Sequence, residues 1–467
     1  MAIERFLEDH RDDITAELAD WVSIPSVAGV AQHAVDVTRS AHWLAGVMRG
    51  VGLRTEVLPA GDSSAVFAEW PVHRPGAPTV LIYSHHDVRH AKPEEWRQTD
   101  PFRAAVRDGR LYGRGASDAK GQVIAHVWGL RAHLAGTADR APAVNLKFLV
   151  EGEEEVGSPN LKDLLRRHRS LLECDLVVFS DTVQWQADAP AIVTSMRGTI
   201  LATLTVTGPD RDVHSGVVSG ASPNPVHVLA DLIHALHDGD RRIMLPGFYD
   251  PVEALTPRRR RDLEDLPFDE QSWAERTETG HVIGEPGYTP KERLWARPSL
   301  EVLSVLAGDP DGVPRAVIPS TAEASISIRT VPNQRVHEVA DQLRAFVRGH
   351  MPDSVSWELD VDELTPQEAY VTPDGPALDA LARAVKRGFG EEAVGRMGNA
   401  GGGPADLLAT TFDAPVVFFG TGLPEDHWHA GDESVDLAML LRGAASLAHL
   451  WQELGEASPE ELRGSRG

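Results

Sequence analysis

The chain has 467 residues, of which 70 are acidic and 45 are basic, so its formal net charge is −25 at pH 7. This acidic excess disfavours nucleic acids and anionic membrane surfaces as partners, because both present phosphates that require lysine and arginine. The single cysteine, Cys174, excludes an intramolecular disulfide and a cysteine-based zinc site.

The first half of the chain alternates predicted helices and strands, the pattern of an α/β domain with a mainly parallel sheet. Helices are predicted where apolar residues recur with helical spacing, and strands where short runs of branched and aromatic residues occur. The predicted elements are helices at 6–21, 37–51 and 121–135, and strands at 54–58, 64–70, 79–84, 145–150 and 176–179.

The pattern changes near Met196 to strand, helix, strand and helix, which predicts a small α+β domain with helices on one sheet face. A proline- and charge-rich stretch, 245–297, lies inside it, and the α/β pattern returns after about residue 363. We therefore predict one α/β domain made of residues 1–195 and 367–467, with residues 196–366 inserted into it. The later predicted elements are strands at 200–206 and 324–329, helices at 225–237, 336–347 and 377–389, and a strand at Val416.

Neither a membrane span nor a signal peptide is predicted. No apolar run reaches the roughly 18 residues that a membrane helix needs, and segment 1–20 carries charges throughout. We therefore expect a cytoplasmic protein without a membrane partner.

Four consecutive arginines, Arg258 to Arg261, form the one basic run. They follow Thr256 and Pro257, a typical helix start, and acidic residues follow at once. We interpret this segment as a solvated helix with internal ion pairs, in preference to a phosphate site.

Four predicted strands run directly into acidic or histidine residues. In open parallel sheets, ligands bind beyond the carboxyl ends of the strands, so four such endings indicate a metal site built across the sheet. The four endings are His85-His86-Asp87, the acidic segment 151–155, Asp181, and the loop that holds His427 and His429.

The first and last endings have candidate site residues at alternate positions. In a strand or its extension alternate residues share a face, so His85 and Asp87 can act together, as can His427 and His429. A metal-binding imidazole usually donates its other N–H to a carboxylate, and Asp87 fits that task for His85. The alternative for His85 is a surface turn with chance histidines.

A glycine-rich loop at 112–121 leads to Asp118 just before a predicted helix. Asp118 is open to three interpretations: a helix N-cap, part of a phosphate loop, or a carboxylate that bridges two metals. The spacing does not match the Walker pattern. The loop alone does not decide among the three.

Adjacent glutamates at the end of strand 145–150 offer two functions. One can bind metal while the other takes a proton from a metal-activated water. A solvated acidic patch is the alternative, but the preceding apolar strand should be buried. Asp181, alone at its strand end, would usually be a turn or cap residue.

Together these positions supply two imidazoles and three carboxylates, enough for two divalent ions that share one carboxylate. Nitrogen and oxygen donors without sulfur favour Zn, Mn or Co over Mg or Ca. A serine hydrolase is disfavoured, because no Gly-x-Ser-x-Gly motif occurs. The predicted ligands are His85, Asp118, Glu155, Asp181 and His429.

The chain resembles the M20 family of metallopeptidases, and within it the branch of cytosolic nonspecific dipeptidases and carnosinases. Single motifs are weak, but their order and spacing together cover nearly the whole chain. The segments that carry the resemblance are 84–88, 113–121, 151–158, 212–216, 294–298, 317–319 and 327–332.

The resemblance implies a role for each metal-site residue. His85, Asp118 and Asp181 would hold one ion, and Asp118, Glu155 and His429 the other. Glu154 would be the general base and Asp87 would orient His85. The family often has a cis peptide after the bridging aspartate, here Asp118–Ala119.

The resemblance also implies an inserted domain that acts as a lid and forms a homodimer. His214 would enter the partner's active site to stabilise the oxyanion, and Arg329 would bind the substrate carboxylate. Gly402 and Gly403 would belong to a loop that contacts the substrate.

Two departures from the dipeptidase branch concern substrate binding. Relatives carry threonine or a similar polar residue where this chain has Ala316, and an Arg-Glu-Gly-Gly-Ser type loop where it has Asn-Ala-Gly-Gly-Gly-Pro at 399–404. An arginine and a serine that would contact substrate are therefore missing.

We predict a dinuclear, Zn- or Mn-dependent hydrolase of dipeptides or similar short substrates with a free carboxylate, using metal-bound hydroxide with Glu154 as general base. An N-acyl or N-carbamoyl amino acid amidohydrolase on the same fold is the alternative, motivated by the altered loop. A non-catalytic binding protein is the remote alternative, which the intact ligand set opposes.

Overall fold

A computed structural model describes residues 3–309, 312, 315–362 and 367–464. The helices of this part, in chain order, are α1 (Ile3–Asp9), α2 (Arg11–Val22), α3 (Ala34–Val51), α4 (Lys120–Gly136), α5 (Leu161–Arg167), α6 (Arg169–Leu172), α7 (Ser215–Val218), α8 (Pro225–Ala235), α9 (Pro257–Glu264), α10 (Glu270–Arg276), α11 (Pro290–Trp295), α12 (Val336–His350), α13 (Pro376–Phe389), α14 (Ala405–Phe412), α15 (Leu437–Gly455) and α16 (Pro459–Arg463).

The strands of the same part are β1 (Arg54–Ala60), β2 (Ser63–Glu69), β3 (Thr79–His85), β4 (Ala105–Arg107), β5 (Arg110–Tyr112), β6 (Asn145–Glu151), β7 (Leu176–Phe179), β8 (Ala191–Met196), β9 (Gly198–Thr207), β10 (Val213–His214), β11 (Ser299–Ala307), β12 (Val317–Ile318), β13 (Thr321–Thr330), β14 (Ser356–Val361), β15 (Tyr370–Val371), β16 (Gly395–Asn399), β17 (Val416–Phe418) and β18 (Ser434–Asp436).

A large central sheet organises the α/β part of the molecule. Its order is β1-β2-β6-β3-β7-β17-β8-β15, and β16 pairs with β8. The neighbours β6, β3, β7 and β17 run parallel, while β1, β2 and β15 pair antiparallel at the edges. The central strands are buried along nearly their whole length, which explains their continuous apolar runs.

Helix α4 packs behind the parallel strands and is buried on nearly all sides, because α2 and α15 cover the face that does not meet the sheet. Its apolar spacing predicts only one buried face. The other face carries polar residues, Gln122 and His126 among them, which are buried and hydrogen-bonded within the fold.

A second, four-stranded sheet has the order β11-β13-β9-β14 and is antiparallel throughout. One of its faces packs with α8 and α12 in a separate apolar core. This arrangement is the small α+β unit with helices on one sheet face that the sequence predicts.

The chain passes from the central sheet to the small sheet at Arg197, between the end of β8 and the start of β9. It returns between β14 and β15, and the predicted boundary at residue 366 lies outside the described residues. Part of the inserted segment packs on the central sheet, since Leu263 and Trp295 share an apolar core with Met397.

Two sequence interpretations are wrong in detail. The helix predicted at 6–21 is two helices, because His10 adopts a non-helical backbone conformation between α1 and α2. The arginine run does form a helix, α9, but its ion pairs are not internal. Because α9 packs beside β16, Arg258 pairs with Asp374 and Arg260 with Glu292.

None of the described helices combines the length and the apolar composition that crossing a bilayer requires.

Candidate metal centre

Parallel pairing brings three of the predicted strand endings to one edge of the central sheet. The register of β3 with β6 places His85 opposite Glu151, so the acidic segment that follows lies beside the histidine. Strand β7 pairs with β3 on the other side and ends two residues before Asp181. The sheet itself therefore sets the first part of the site.

One group of side chains surrounds His85. Nε2 of His85 lies 3.1 Å from Oδ1 of Asp118 and 3.6 Å from Oδ1 of Asp181. A carboxylate oxygen of Glu154 falls within 4.8 Å of the donor atoms of His85 and Asp181. The donor atoms of His85, Glu154 and Asp181 are therefore close enough together to hold a single cation, and Asp118 adjoins this group through His85.

A second group uses the other oxygen of Asp118. Nε2 of His429 lies 2.9 Å from Oδ2 of Asp118 and 3.2 Å from Oε2 of Glu155. Asp118 thus directs one carboxylate oxygen at each histidine. Of its three interpretations, the bridging carboxylate is the one that this geometry supports. The peptide bond between Asp118 and Ala119 is cis, as the resemblance implies.

The candidate metal ligands are buried except for His429, which is partly exposed to solvent. His85 is fully buried, and Asp118, Glu155 and Asp181 are 4 %, 3 % and 9 % exposed. The side chain of His429 is 48 % exposed. Solvent and a small ligand therefore reach the second group from the side of His429.

Asp118 and His429 stabilise each other's charged forms. Burial opposes ionisation of Asp118, but hydrogen bonds donated by His429 and His85 hold its pKa well below the usual range. Burial likewise disfavours a charged imidazole at position 429, yet Asp118 and Glu155 raise the pKa of His429 to about 10. The bridging carboxylate is ionised at neutral pH.

The remaining carboxylates repel one another. Burial, and then the charge of Asp181, raises the pKa of Glu154 well above its ordinary value. Burial and the charge of Asp118 raise the pKa of Glu155 to about 7. Such crowding of buried acids is typical of sites where a cation or a proton-transfer step needs them.

The donor set fits a pair of divalent cations. Carboxylates of Asp118, Asp181, Glu154 and Glu155 converge on two imidazoles, an excess of negative charge that cations would neutralise. Oδ1 of Asp181 is buried without a hydrogen-bond partner among the described residues, although buried carboxylate oxygens are normally paired. Nitrogen and oxygen donors of this kind suit divalent metal ions.

Asp87 supports both groups from below. Its carboxylate accepts hydrogen bonds from the backbone N–H of Glu154 and of Glu155, at 3.2 and 3.0 Å. Nδ1 of His85 lies 3.1 Å from the backbone oxygen of Asp87 and 3.4 Å from its Oδ1. One buried residue thus positions His85 and the glutamate pair together.

Glu433 is a positioning residue that no sequence motif indicates. It is fully buried, and Oε1 accepts hydrogen bonds from the backbone N–H of Ser117 and Asp118 at 3.0 and 3.1 Å. Oε2 accepts from the N–H of Gly115 and from Arg114. Because Glu433 follows His429 by four residues, it connects the loop that carries His429 to the loop that carries Asp118.

The fourth strand ending differs from its predicted geometry. His427 and His429 lie in a loop after a short 3-10 helix, with φ angles of 59° and 64°, so strand-like alternation does not apply. Only His429 joins the metal-ligand group; no hydrogen bond or ion pair of the His427 side chain occurs among the described residues.

The predicted substrate residues Arg329 and Gly402 lie against a common neighbour. Arg329 donates a hydrogen bond to Oγ1 of Thr199, and a Cβ added at Gly402 would overlap that same oxygen at 2.0 Å. Gly403 packs against Phe179, two residues before Asp181. The glycine loop therefore spans from the metal edge of the sheet to Arg329.

Arg197 fastens this loop and was not selected from the sequence. Its Nε and Nη2 donate to the backbone oxygen of Ala400 at 3.1 and 2.9 Å. The sequence lacks the arginine and serine that relatives carry in this loop. Here the loop backbone is instead hydrogen-bonded to Arg197, which directly precedes β9 of the small sheet. Because glycine has no Cβ, the backbone at 402 and 403 can approach Thr199 and Phe179 closely.

His214 lies apart from the other predicted residues. It is exposed on β10, opposite Val317 of β12, and the N–H of Ser215 donates to the backbone oxygen of Ala316 at 2.7 Å. The departure at Ala316 therefore adjoins His214 in space. Among the described residues, no hydrogen bond or ion pair joins His214 to the metal-ligand groups.

Curated relatives of this chain include several dipeptidases. A cysteinylglycine-S-conjugate dipeptidase of Corynebacterium striatum is 29% identical over 439 residues, covering 92% of this chain and 93% of that protein. A Beta-Ala-His dipeptidase of Homo sapiens is 27% identical, covering 97% of this chain and 92% of its own. These names favour the dipeptidase prediction over the amidohydrolase alternative.

Solved structures share the whole architecture. Human carnosine dipeptidase 1 superposes with a TM-score of 0.85 at 25% identity, covering 97% of this chain and 98% of that chain. The likeness confirms the predicted α/β fold with a mainly parallel central sheet.

A family model described as Peptidase family M20/M25/M40 matches residues 81–453, from the strand before His85 to beyond His429. The predicted family is thereby confirmed, and with it the prediction that the protein is a hydrolytic enzyme. The chain belongs to peptidase family M20/M25/M40.

Proposed function

We propose that this protein is a dinuclear metallodipeptidase that cleaves the peptide bond of dipeptides or similar short substrates with a free carboxylate. The observation that carries the proposal is the shared carboxylate of Asp118, whose two oxygens face two separate histidine-containing groups. The dipeptidase names of the relatives support the substrate class.

In this proposal His85, Asp118 and Asp181 hold one divalent ion, and Asp118, Glu155 and His429 hold the other. The ions, Zn or Mn by the donor types, would polarise the scissile carbonyl and lower the pKa of the attacking water. The residues around them fix the geometry, since Asp87 positions His85 and the two glutamates through three contacts.

Glu154 serves as the general base in this scheme. Its carboxylate lies beside the donor atoms of His85 and Asp181. In this proposal Asp118, which lies 3.1 Å from His85, is the third ligand of that ion, and Glu154 is left for proton transfer. Surrounding acids and burial raise its pKa, which suits a group that must accept a proton and then release it to the leaving amine.

Arg329 binds the free carboxylate of the substrate in this scheme. A guanidinium offers paired N–H donors that match a carboxylate. Arg329 is half-buried and forms no ion pair within the described residues, so its charge is available for a ligand. Its neighbours Gly402 and Gly403 bring loop backbone to the same place.

The inserted segment, 196–366, acts as a lid and forms a homodimer in this proposal. His214 is exposed on that segment, and among the described residues it contacts neither metal-ligand group of its own chain through a hydrogen bond or an ion pair. A residue that acts in a partner's site requires this arrangement. There it would donate to the developing oxyanion. A cytoplasmic location belongs to the same proposal, and cell fractionation tests it.

The direct experiment is a substrate panel. Protein reconstituted with Mn²⁺ or Zn²⁺ is incubated with dipeptides, N-acyl amino acids and N-carbamoyl amino acids, and amine release is measured. We expect hydrolysis of dipeptides. Hydrolysis of the acylated or carbamoylated amino acids alone would replace the proposal by the amidohydrolase alternative.

A further inference from the structure

A cavity of about 1300 Å³ lies against the small sheet and begins at the predicted carboxylate-binding residue. Its wall is formed by β11, β13, the end of α8 and the segment 279–285. Five arginines line it, at positions 197, 241, 293, 297 and 329, against three acidic residues, at 238, 285 and 301. In a chain with 70 acidic and 45 basic residues, this local excess of positive charge is unusual.

Most of these arginines have no carboxylate partner. Arg297 alone forms an ion pair, with Nε and Nη2 donating to Glu285 at 2.9 and 3.0 Å. The other four make no ion pair among the described residues. Asp238 instead accepts the backbone N–H groups of its own turn, and Glu301 acts on Arg197 only at longer range.

The cavity shares Arg329 with the proposed substrate site. Arg329 and Arg197 line it, and these two residues contact Thr199 and Ala400 of the region around the glycine loop. A substrate carboxylate at Arg329 would neutralise one positive charge. Arg293 and Arg241 lie in the same wall and would remain unneutralised.

Arg293 is held in a fixed orientation. Its Nε donates to the backbone oxygen of Glu285 at 3.0 Å. Gly284 lies so close to its side chain that an added Cβ would be 2.7 Å from Cδ. The two terminal nitrogens make no hydrogen bond within the described part of the chain. A preorganised guanidinium of this kind binds an oxyanion at low entropic cost.

We propose that the preferred substrates are dipeptides whose C-terminal residue is acidic, with the side-chain carboxylate bound in this cavity by Arg293 and Arg241. This inference rests on the proposed function, because it places the main-chain carboxylate at Arg329. The cavity supplies the additional charge that a second carboxylate requires and a neutral side chain does not use.

Binding to a non-hydrolysing variant tests the inference without turnover. Mn²⁺-loaded Glu154→Gln protein is titrated calorimetrically with Gly-Glu, Gly-Gln and Gly-Lys. Since a hydrogen bond to a charged group carries most of the difference, we expect Gly-Glu to bind about tenfold more tightly than Gly-Gln, and Gly-Lys to bind most weakly. Equal affinity for Gly-Glu and Gly-Gln, or no binding of either, overturns the inference.

Arginine variants test whether Arg293 and Arg241 cause the preference for Gly-Glu over Gly-Gln. Adding Arg293→Met and Arg241→Met should reduce the Gly-Glu to Gly-Gln affinity ratio to below about twofold. Arg348→Met, an exposed arginine of α12 outside the cavity, should leave the ratio unchanged. A ratio that survives the double change overturns the inference. Arg241 is exposed, so Arg241→Met alone gives the readout if the double variant does not fold.

Turnover by the wild-type protein separates this inference from the proposed function. Tight Gly-Glu binding without hydrolysis of any dipeptide would refute the function and leave the anion-binding cavity in place. Hydrolysis of Gly-Glu and Gly-Gln with equal efficiency and equal affinity would refute the cavity's role and leave the function in place.

Discussion

The two ends of the proposed substrate site are opposite in charge and in construction. The metal edge brings four carboxylates and two histidines together where the parallel strands of the central sheet end, with Asp118 and His429 supplied by neighbouring loops. The cavity beside Arg329 collects arginines from the small sheet and from segments far apart in the chain. Buried Asp118 is ionised through its histidine contacts, whereas only Arg297 among the cavity's arginines forms an ion pair within the described residues.

This difference indicates a division of tasks. A cluster of acids that raises the pKa of Glu154 and Glu155 is arranged for cations and proton transfer. Unpaired guanidinium groups are arranged to hold an anion. We therefore expect changes at the metal edge to affect the chemical step and changes at the arginine end to affect substrate binding.

Removing the base at the metal edge should have the largest effect. Glu154→Gln keeps the shape of the side chain but cannot accept the proton of the attacking water, so we expect kcat to fall about 100- to 10,000-fold. Bound metal, measured by elemental analysis, should stay at the wild-type level. Full activity of this variant would contradict the assignment of Glu154.

Removing the guanidinium at the other end should act differently. Arg329→Met would lose a charge-assisted hydrogen bond to the substrate carboxylate, so we expect KM to rise about 10- to 100-fold. Arg329→Lys, which keeps the charge without the planar donor pair, should recover part of the loss. A fall in kcat with unchanged KM would break the proposed division.

The smallest expected effect concerns the support of the bridge. Glu433→Gln places amide N–H groups against the backbone donors of Ser117 and Asp118, so we expect Mn²⁺ affinity to fall about tenfold. The adjacent Asp432→Asn is a matched control, because Asp432 accepts the N–H groups of Arg97 and Gln98 on a different loop. Equal losses in the two variants would make Glu433 a structural residue only.

The metal edge could be predicted because local sequence determines it. An apolar strand and the residue that follows it are adjacent in the chain, and parallel pairing carries His85, Glu155 and Asp181 to one edge. Asp118 was selected only in combination with the other four ligands, because its loop alone allowed three interpretations. The fold class followed from the same alternation of strands and helices.

The remaining parts depend on contacts that the sequence does not display. Glu433 looks like a surface acid, and its burial depends on the loop of Gly115 and Asp118 folding over it. Arg197 and Arg293 are separated by almost a hundred positions and line the same cavity only in the folded chain. The ion pairs of Arg258 and Arg260 likewise cross to distant elements.

Metal titration of the wild-type protein tests the central claim most directly. Protein stripped of metal is given increasing Mn²⁺, and bound ion and dipeptide hydrolysis are measured at each step. The shared carboxylate of Asp118 predicts that two ions bind per chain and that activity reaches its maximum only with the second. Full activity in the stripped protein, or maximal activity with a single bound ion, would contradict it.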